Sequence, residues 1–211
     1  MWLQSCFFNY FWVKQKAMKL TEKQSEIIEI SKKLFFEKGY VETSMRDIGA
    51  QMDVRASSLY AHFTSKEEIL KFICEDVYER FIDVKNEVES SGLEIEERFK
   101  LFVKRYIEEI MHDVMRYELY YKYWGLVDIS VDRKYSLSNF GYIKFTRSLL
   151  SELFPNEKPL PCYIPDSTTY FILETLRSIP RWVNPANPDI EMIVQDFQYR
   201  IIYGFHKDLK K

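Results

Sequence analysis

The spacing of apolar residues after Thr21 is helical almost throughout, and this pattern constrains the fold more than any other feature. Apolar side chains recur three and four residues apart, and no stretch shows sustained period-two alternation with β-branched residues. Glycine, which interrupts helices, occurs only 6 times in 211 residues. The pattern therefore predicts an all-α protein with a small amino-terminal domain and a larger carboxy-terminal one.

Capping residues and glycine mark where the first three helices begin and end. A capping-box pattern at Thr21 opens the first helix, and Gly39 ends it. The second helix is predicted to start at Ser44. A tight turn around Asp53 then leads to a third helix over roughly 55–63.

The rest of the chain continues as helices separated by breaks. A second capping box, Ser65-x-x-Glu68, opens a long fourth helix, and Ser90-Ser91-Gly92 interrupts the pattern. Asn187 and Pro188 are the predicted cap and first position of the last helix. After an amphipathic helix that contains Phe99 and Val114, further helices are predicted over about 136–154, 166–182 and 188–209.

Residues 1–18 are aromatic-rich and are predicted to be an extension that the fold does not need. Lys14 and Lys16 follow the apolar run, whereas a signal peptide carries its positive charge before that run. The run is also short and interrupted by Asn9, so it does not suit a membrane span. Functional translation is expected to begin at Met18, and a membrane-anchoring role for the extension is the alternative.

Charge, cysteine and histidine patterns argue against several classes of protein. The formal net charge is −2, so any contact with nucleic acid has to come from a local patch. The 3 cysteines lie far apart and form no Cys-x-x-Cys pair, which is typical of a reducing cytoplasm. His112 and His206 stand alone on helices, so we predict no metal and no cofactor.

A helix-turn-helix is predicted at residues 43–64. A short helix, a tight turn and a second short helix allow one helix to cross the DNA backbone while the next enters the major groove. The side chains expected to hold the pair together are Ile48, Val54, Leu59 and Phe63.

Five short motifs occur here in a fixed order. They are Gly39-Tyr40, Thr43-Ser44, Ile48-Gly49, Leu59-Tyr60-Ala61-His62-Phe63 and Lys66-Glu67. This set resembles the signature of the TetR family of bacterial repressors, in which the Ile is usually followed by Ala. After the extension at 1–18, the resemblance implies a helix-turn-helix domain at 19–66 and a helical ligand-binding and dimerisation domain at 67–211.

Two positions depart from the family pattern. Asp53 stands where the family usually has Gly, and Asp is among the residues that tolerate the left-handed conformation. Arg55 replaces a capping Ser, which loses a cap worth about 1 kcal/mol. In exchange, Arg55 carries a charge able to reach a phosphate or a guanine edge, so we interpret it as a specificity residue.

The resemblance also implies which side chains touch DNA. Thr43 and Lys66 are expected to contact phosphate, and a helix amino end near Lys66 favours an anion independently. Tyr60 and His62 are expected to position the backbone, with simple packing as the alternative. The full predicted set is Thr43, Ser44, Arg46, Arg55, Ala56, Ser57, Ser58, Tyr60, His62 and Lys66.

The carboxy-terminal domain is rich in rings and methionines, which suits a mainly apolar cavity for a small organic effector. The alternative is that these side chains simply fill the core. The predicted lining residues are Tyr106, Met111, Met115, Tyr120, Trp124, Phe140 and Phe171.

The last two helices are predicted to form the seam of a homodimer that reads a palindromic DNA operator. A single helix-turn-helix domain contacts few bases, whereas the two domains of a dimer contact two half-sites. The side chains expected at the seam are Tyr170, Leu173, Arg177, Ile190, Ile193, Val194, Phe197, Ile201 and Phe205.

The sequence therefore predicts a DNA-binding transcriptional regulator, a repressor that a small hydrophobic effector releases from DNA. An enzyme is not predicted, because the sequence has no Gly-rich phosphate loop, Gly-x-Ser-x-Gly or His-Glu-x-x-His motif. The alternative is a helical partner- or ligand-binding protein that keeps the fold without binding DNA.

Overall fold

The computed structural model describes residues 20–124, 127, 138–155, 167–184 and 188–203, without the side chains of 138–142 and 202–203. Every regular element in these residues is helical, which confirms the all-α prediction. None of the described helices is both long and apolar enough to cross a membrane. The predicted extension at 1–18 lies outside the described residues.

Two compact units divide the chain. The first contains described residues up to 79 and again from 115 to 127, and the second contains 80–114 and the described residues from 138 onward. The functional boundaries at 18 and 66 stay a prediction. The helices are α1 Glu22–Glu37, α2 Met45–Gln51, α3 Ala56–Leu59, α4 Lys66–Ser90, α5 Ile95–His112, α6 Val114–Tyr123, α7 Ser138–Leu153, α8 Ser167–Ser178 and α9 Ile190–Gln198.

The core of the first unit is formed by the apolar side chains of α1, α2 and α3. Ile27, Ile48 and Leu59 are each 0% exposed, and Ile69 of α4 is equally buried. The capping box predicted at Thr21 is present, since its side chain accepts the Gln24 N–H and the Gln24 side chain accepts the Thr21 N–H. These contacts fix where α1 starts.

The core of the second unit is built on α5. Phe99, Phe102, Val103, Tyr106 and Ile107 are buried at helical spacing on one face. Ion pairs on its outer side join α5 to α7 and α9 through Arg98–Glu152 and Lys104–Glu191.

Three predicted boundaries are wrong or only partly right. Asp189 caps α9, accepting the Met192 N–H at 3.0 Å, where Asn187 was expected, and α9 itself begins at Ile190. The helix expected to reach residue 182 ends as α8 at Ser178, and a 3₁₀ turn, Ile179–Arg181, takes over at Pro180.

The capping box at the start of α4 also differs from the prediction. The Ser65 hydroxyl accepts the Glu68 N–H at 3.3 Å, as expected. The Glu68 carboxylate, however, accepts from the N–H and hydroxyl of Thr64, one residue earlier than a capping box requires.

Candidate nucleic-acid interface

The start of α2 is held by a complete capping box. The Ser44 hydroxyl accepts the Asp47 N–H at 3.2 Å, and the Asp47 carboxylate accepts the Ser44 N–H at 2.7 Å. The Lys38 ammonium donates to the same carboxylate at 2.8 Å. The hydrogen bond from Lys38, and to a lesser extent the bonds from Ser44, hold the pKa of Asp47 well below its usual value. The side chains of Lys38, Ser44 and Asp47 therefore stabilise the start of α2.

The turn between α2 and α3 depends on the backbone conformation of Asp53 and on the absence of a side chain at Gly49. Asp53 has a φ of 54°, in the left-handed region that the sequence predicted for it. The Val54 N–H donates to the Gly49 carbonyl at 2.9 Å, which brings the turn close to α2. A Cβ at Gly49 would lie 2.8 Å from the Val54 carbonyl oxygen. Gly49, where the family usually has Ala, thus suits the close approach of this turn.

The predicted third helix over 55–63 is too long, because α3 ends at Leu59. The Leu59 carbonyl accepts both the His62 N–H at 2.9 Å and the Phe63 N–H at 3.0 Å, so the chain tightens into a turn. Arg55 is the N-cap and makes no side-chain capping bond, as predicted from its chemistry. Leu59 is fully buried and holds α3 to the core.

Most of the predicted DNA-contacting side chains on α2, on α3 and beside them are exposed. Arg46 and Arg55 are exposed, and within the described residues neither forms a hydrogen bond or an ion pair. Tyr60 is 53% exposed. Ser44, Ser57 and Ser58 are also exposed, whereas Ala56 and His62 are half-buried.

Thr43 is placed differently from the expectation that it contacts phosphate. Its side chain is buried, with 1% of the residue exposed, and its hydroxyl donates to the Gly39 carbonyl at 2.7 Å. In this position Thr43 stabilises the loop between α1 and α2. Its placement therefore does not support a phosphate contact from the hydroxyl.

Lys66, the first residue of α4, is also engaged inside the protein. Its ammonium donates to the carbonyls of Tyr40, Val41 and Thr43. An ammonium has three donors, so no N–H is left for a phosphate in this arrangement. Lys66 also lies beside an open groove of about 320 Å³, which Ser44 and Tyr60 help to line.

Tyr40 and Tyr123 are structural residues of this region to which the sequence analysis assigned no role. The Tyr40 N–H donates to the Tyr123 hydroxyl at 3.3 Å, which joins the loop to α6. The Tyr40 hydroxyl donates to Glu67 at 2.9 Å. Burial is the largest cause that raises the pKa of Tyr40, and the bond to Glu67 is the next. Tyr40 belongs to the Gly-Tyr motif, so the sequence marked the position without showing its contacts.

Arg116 is a second link of α6 that was not predicted. Its guanidinium donates to Asp76 of α4 and to Glu29 of α1, the latter at 3.1 Å. The spacing of these three residues along the chain gives no local signal, because the helices that carry them meet only in the tertiary structure.

Residues 27–73 match the family described as bacterial regulatory proteins, tetR family. This segment is therefore a TetR-family DNA-binding domain. Together with the relatives described below, it makes the chain a DNA-binding transcriptional regulator of the helix-turn-helix type. The match covers α2, α3 and the turn between them, together with most of α1 and the start of α4.

Similar proteins and structures extend beyond this segment. The chain is 24% identical over 205 residues to the HTH-type transcriptional repressor KstR2 of Mycobacterium tuberculosis, covering 91% of this chain and 97% of that one. The structure of that ketosteroid transcriptional regulator aligns with a TM-score of 0.74 at 22% identity, over 89% of this chain and 97% of that one. A TetR-family regulator from Bordetella parapertussis aligns with a TM-score of 0.77 at 19% identity, over 88% and 97% of the two chains.

A third relative matches over a shorter segment. The biofilm operon icaADBC HTH-type negative transcriptional regulator IcaR of Staphylococcus epidermidis is 38% identical over 60 residues. These residues are 28% of this chain and span about a third, 32%, of that relative.

The residues predicted to line an effector cavity fall into both units. Tyr106 and Met111 are buried in the second unit, where the Tyr106 ring stacks on Phe81 with 5.0 Å between centroids. In the first unit, Tyr120 packs 4.9 Å from Trp124, and Met115 is half-buried. Phe171 is 56% exposed on α8, and the Phe140 side chain lies outside the described residues.

The side chains predicted for a dimer seam differ in exposure, and Leu173, Arg177 and Ile190 are half-buried. Tyr170 is 48% exposed, and Phe171, Met192 and Tyr199 add further exposed apolar surface to α8 and the region of α9. Phe205 lies outside the described residues. By contrast, Ile193, Val194, Phe197 and Ile201 are buried within the chain and serve its own core.

Proposed function

We propose that this regulator is a repressor that binds a palindromic operator as a homodimer and leaves it when a small hydrophobic effector binds. The observation that carries the DNA-binding part is the pair of exposed guanidinium groups, Arg46 and Arg55, that have no partner within the described residues. Ser57, Ser58 and Tyr60, on α3 and at its end, are exposed as well. Guanidinium groups bind phosphate and guanine edges well, because their donors match both geometries.

The charge balance of the helix-turn-helix region supports a role for these few side chains. Residues 20–66 contain seven Lys or Arg and seven Asp or Glu. A region without net positive charge has little general attraction for phosphate, so its affinity depends on individual cations. We therefore expect weak binding to random DNA and a measurable preference for the operator.

The exposed apolar residues on α8 and near α9 support the homodimer. Tyr170, Phe171, Met192 and Tyr199 are 48–61% exposed, which is costly for rings and long apolar side chains that remain in water. An isologous seam would cover them on both copies at once. This set replaces the buried residues of α9 that the sequence suggested.

The proposed effector is an apolar organic molecule that binds near the aromatic side chains of α6. The relative named a ketosteroid transcriptional regulator makes steroid-like compounds the first class to test. The Tyr120–Trp124 ring pair and Tyr123 lie within one short stretch, and the Tyr123 hydroxyl accepts the Tyr40 N–H. An effector that shifts α6 would disturb this bond, and it must bind the DNA-incompetent state more tightly to cause release.

The experiment starts with genomic fragments retained by the purified protein. The retained site is then titrated with wild type and with Arg46→Gln, Arg55→Gln and, as a matched control, Lys33→Gln, an exposed lysine on α1. We expect the arginine variants to weaken binding or change the preferred sequence, while the control binds like wild type. Steroid-like and fatty compounds are then screened for release of the bound DNA.

Two results would count against the proposal. Retention of no specific fragment would favour a helical partner-binding protein that keeps the fold without binding DNA. Equal binding by the arginine variants and wild type would show that Arg46 and Arg55 do not contact the operator.

A further inference from the structure

Lys66 stands where the phosphate contact was expected, yet its ammonium is fully used within the protein. The Nζ atom lies 2.8 Å from the Tyr40 carbonyl oxygen, 2.9 Å from that of Thr43 and 3.1 Å from that of Val41. It also lies 4.5 Å from the centroid of the Tyr40 ring. All three N–H donors and the face of one ring are thus engaged by a single loop.

The loop between α1 and α2 has reason to need such a partner. Gly39 adopts a φ of 100°, and the Thr43 N–H reaches the Tyr40 carbonyl only at 3.4 Å. The carbonyl oxygens of Tyr40, Val41 and Thr43 converge on one point, where their negative ends repel one another. A cation at that point removes the repulsion and forms charge-assisted hydrogen bonds.

The Tyr40 side chain holds this loop against α1, α4 and α6. Its ring packs edge-on against Phe35 with 5.2 Å between centroids, and 5.5 Å from the ring of Tyr123. Its hydroxyl donates to Glu67, the residue that follows Lys66. The start of α4 therefore holds the loop in two ways. Lys66 binds the backbone carbonyls of the loop, and Glu67 accepts a hydrogen bond from the Tyr40 side chain.

We propose that Lys66 is a positioning residue for DNA binding that acts through the loop carbonyls and not by touching a phosphate. Ser44 ends the loop as the N-cap of α2, and Arg46 lies in the first turn of α2, so the loop sets where α2 begins and where the Arg46 side chain projects. The inference rests on the proposed DNA binding, and it reassigns a residue that the resemblance placed on the phosphate backbone.

Two substitutions separate positioning from phosphate binding. Lys66→Met removes the charge but keeps the length of the side chain. Lys66→Arg keeps the charge, but its planar fork does not bring three donors to one point. A phosphate contact would survive in the arginine variant, whereas the arrangement with three carbonyls would not. Arg46→Gln serves as the reference for a side chain that binds DNA directly, and Lys33→Met as the matched control.

The first measurement is the affinity for the retained operator against salt concentration. For positioning, both Lys66 variants lose about tenfold in affinity, as expected when charge-assisted bonds are removed. The slope of log affinity against log salt stays that of wild type. Arg46→Gln instead lowers the slope by about 0.9 for each phosphate that the arginine neutralises in wild type.

The second measurement is hydrogen exchange of the free protein over residues 40–45. We expect faster exchange in both Lys66 variants and wild-type exchange in Lys33→Met. A shallower salt slope in Lys66→Met, rescue of affinity by Lys66→Arg, or unchanged loop exchange would each overturn the proposal. If wild type binds no DNA, the proposed function fails, and hydrogen exchange alone still decides whether Lys66 holds the loop.

Discussion

The starts of α2 and α3 lie only eleven residues apart in the chain, yet they are built in different ways. At the start of α2, Ser44 and Asp47 bond reciprocally, Lys38 pairs with the same carboxylate, and Lys66 holds the preceding loop. At the start of α3, Arg55 is the N-cap and makes no capping bond.

Under the proposed function, this difference divides the polar side chains of one small domain between stability and recognition. Polar groups that bond within the protein fix geometry but have fewer donors to offer a ligand. The side chains of α3 make few such bonds, so α3 depends on the burial of Leu59, while Arg55, Ser57 and Tyr60 remain available to DNA. Polar bonds that stabilise the fold are thus concentrated at the start of α2, whereas the polar side chains of α3 make few of them.

The largest expected effect follows from removing the buried anchor of α3. Leu59 is 0% exposed, so Leu59→Ala should lower the free energy of unfolding by about 2–5 kcal/mol, as buried leucines do. Ser58→Ala, at the exposed neighbouring position, should change it by less than about 0.5 kcal/mol. Urea unfolding measures both variants. A Leu59→Ala loss below about 1 kcal/mol would mean that other contacts hold α3.

A smaller effect is expected when α3 receives the cap that it lacks. Arg55→Ser should raise the free energy of unfolding by about 1 kcal/mol and, at the same time, weaken operator binding. Ser44→Ala at the start of α2 should lower it by a similar amount, about 1 kcal/mol. Thermal unfolding and DNA titration of the same samples test this pair. If Arg55→Ser binds the operator as wild type does, Arg55 has no part in recognition.

The acid dependence of stability should come in part from the start of α2. Lys38 and Ser44 lower the pKa of Asp47 in the folded protein, so its stabilising contribution is fully present above the unfolded pKa, near 4. That contribution is lost as the pH falls through the lower folded pKa. Asp47→Asn should therefore show a flatter decline in stability below about pH 4 than wild type.

Lys38→Met provides the partner test for Asp47. Because Lys38 is the largest cause of the lowered pKa, its removal should also flatten the acid decline. Urea unfolding at a series of pH values compares the three proteins. Parallel curves for all of them would show that this ion pair contributes nothing measurable.

The smallest effect is expected in the turn between the two helices. Asp53 has a φ of 54°, so Asp53→Gly should relieve strain and change stability by less than about 1 kcal/mol. Asp53→Val should be clearly destabilising, because a β-branched residue is poorly tolerated there. A destabilised glycine variant, measured by thermal unfolding, would show that the Asp53 side chain contributes more than its conformation.

Local patterns were sufficient to predict the all-helical fold and most of the amino-terminal boundaries. The caps at Thr21 and Ser44, the end of the first helix near Gly39 and the left-handed Asp53 each depend on residues within four positions of one another. Interactions of this range are encoded directly in the order of residues, because the helix backbone brings them together. The ordered motifs around the helix-turn-helix indicated the family for the same reason.

Only the tertiary structure decided which side chains are free and which are engaged. Thr43 and Lys66 look available in the sequence, but one is buried and the other is held by carbonyls that lie 23 to 26 residues away. Backbone carbonyls are present at every position, so a sequence pattern does not show which of them will converge. Tyr40, Tyr123 and Arg116 acquire their partners in the same way, through helices that meet only after folding.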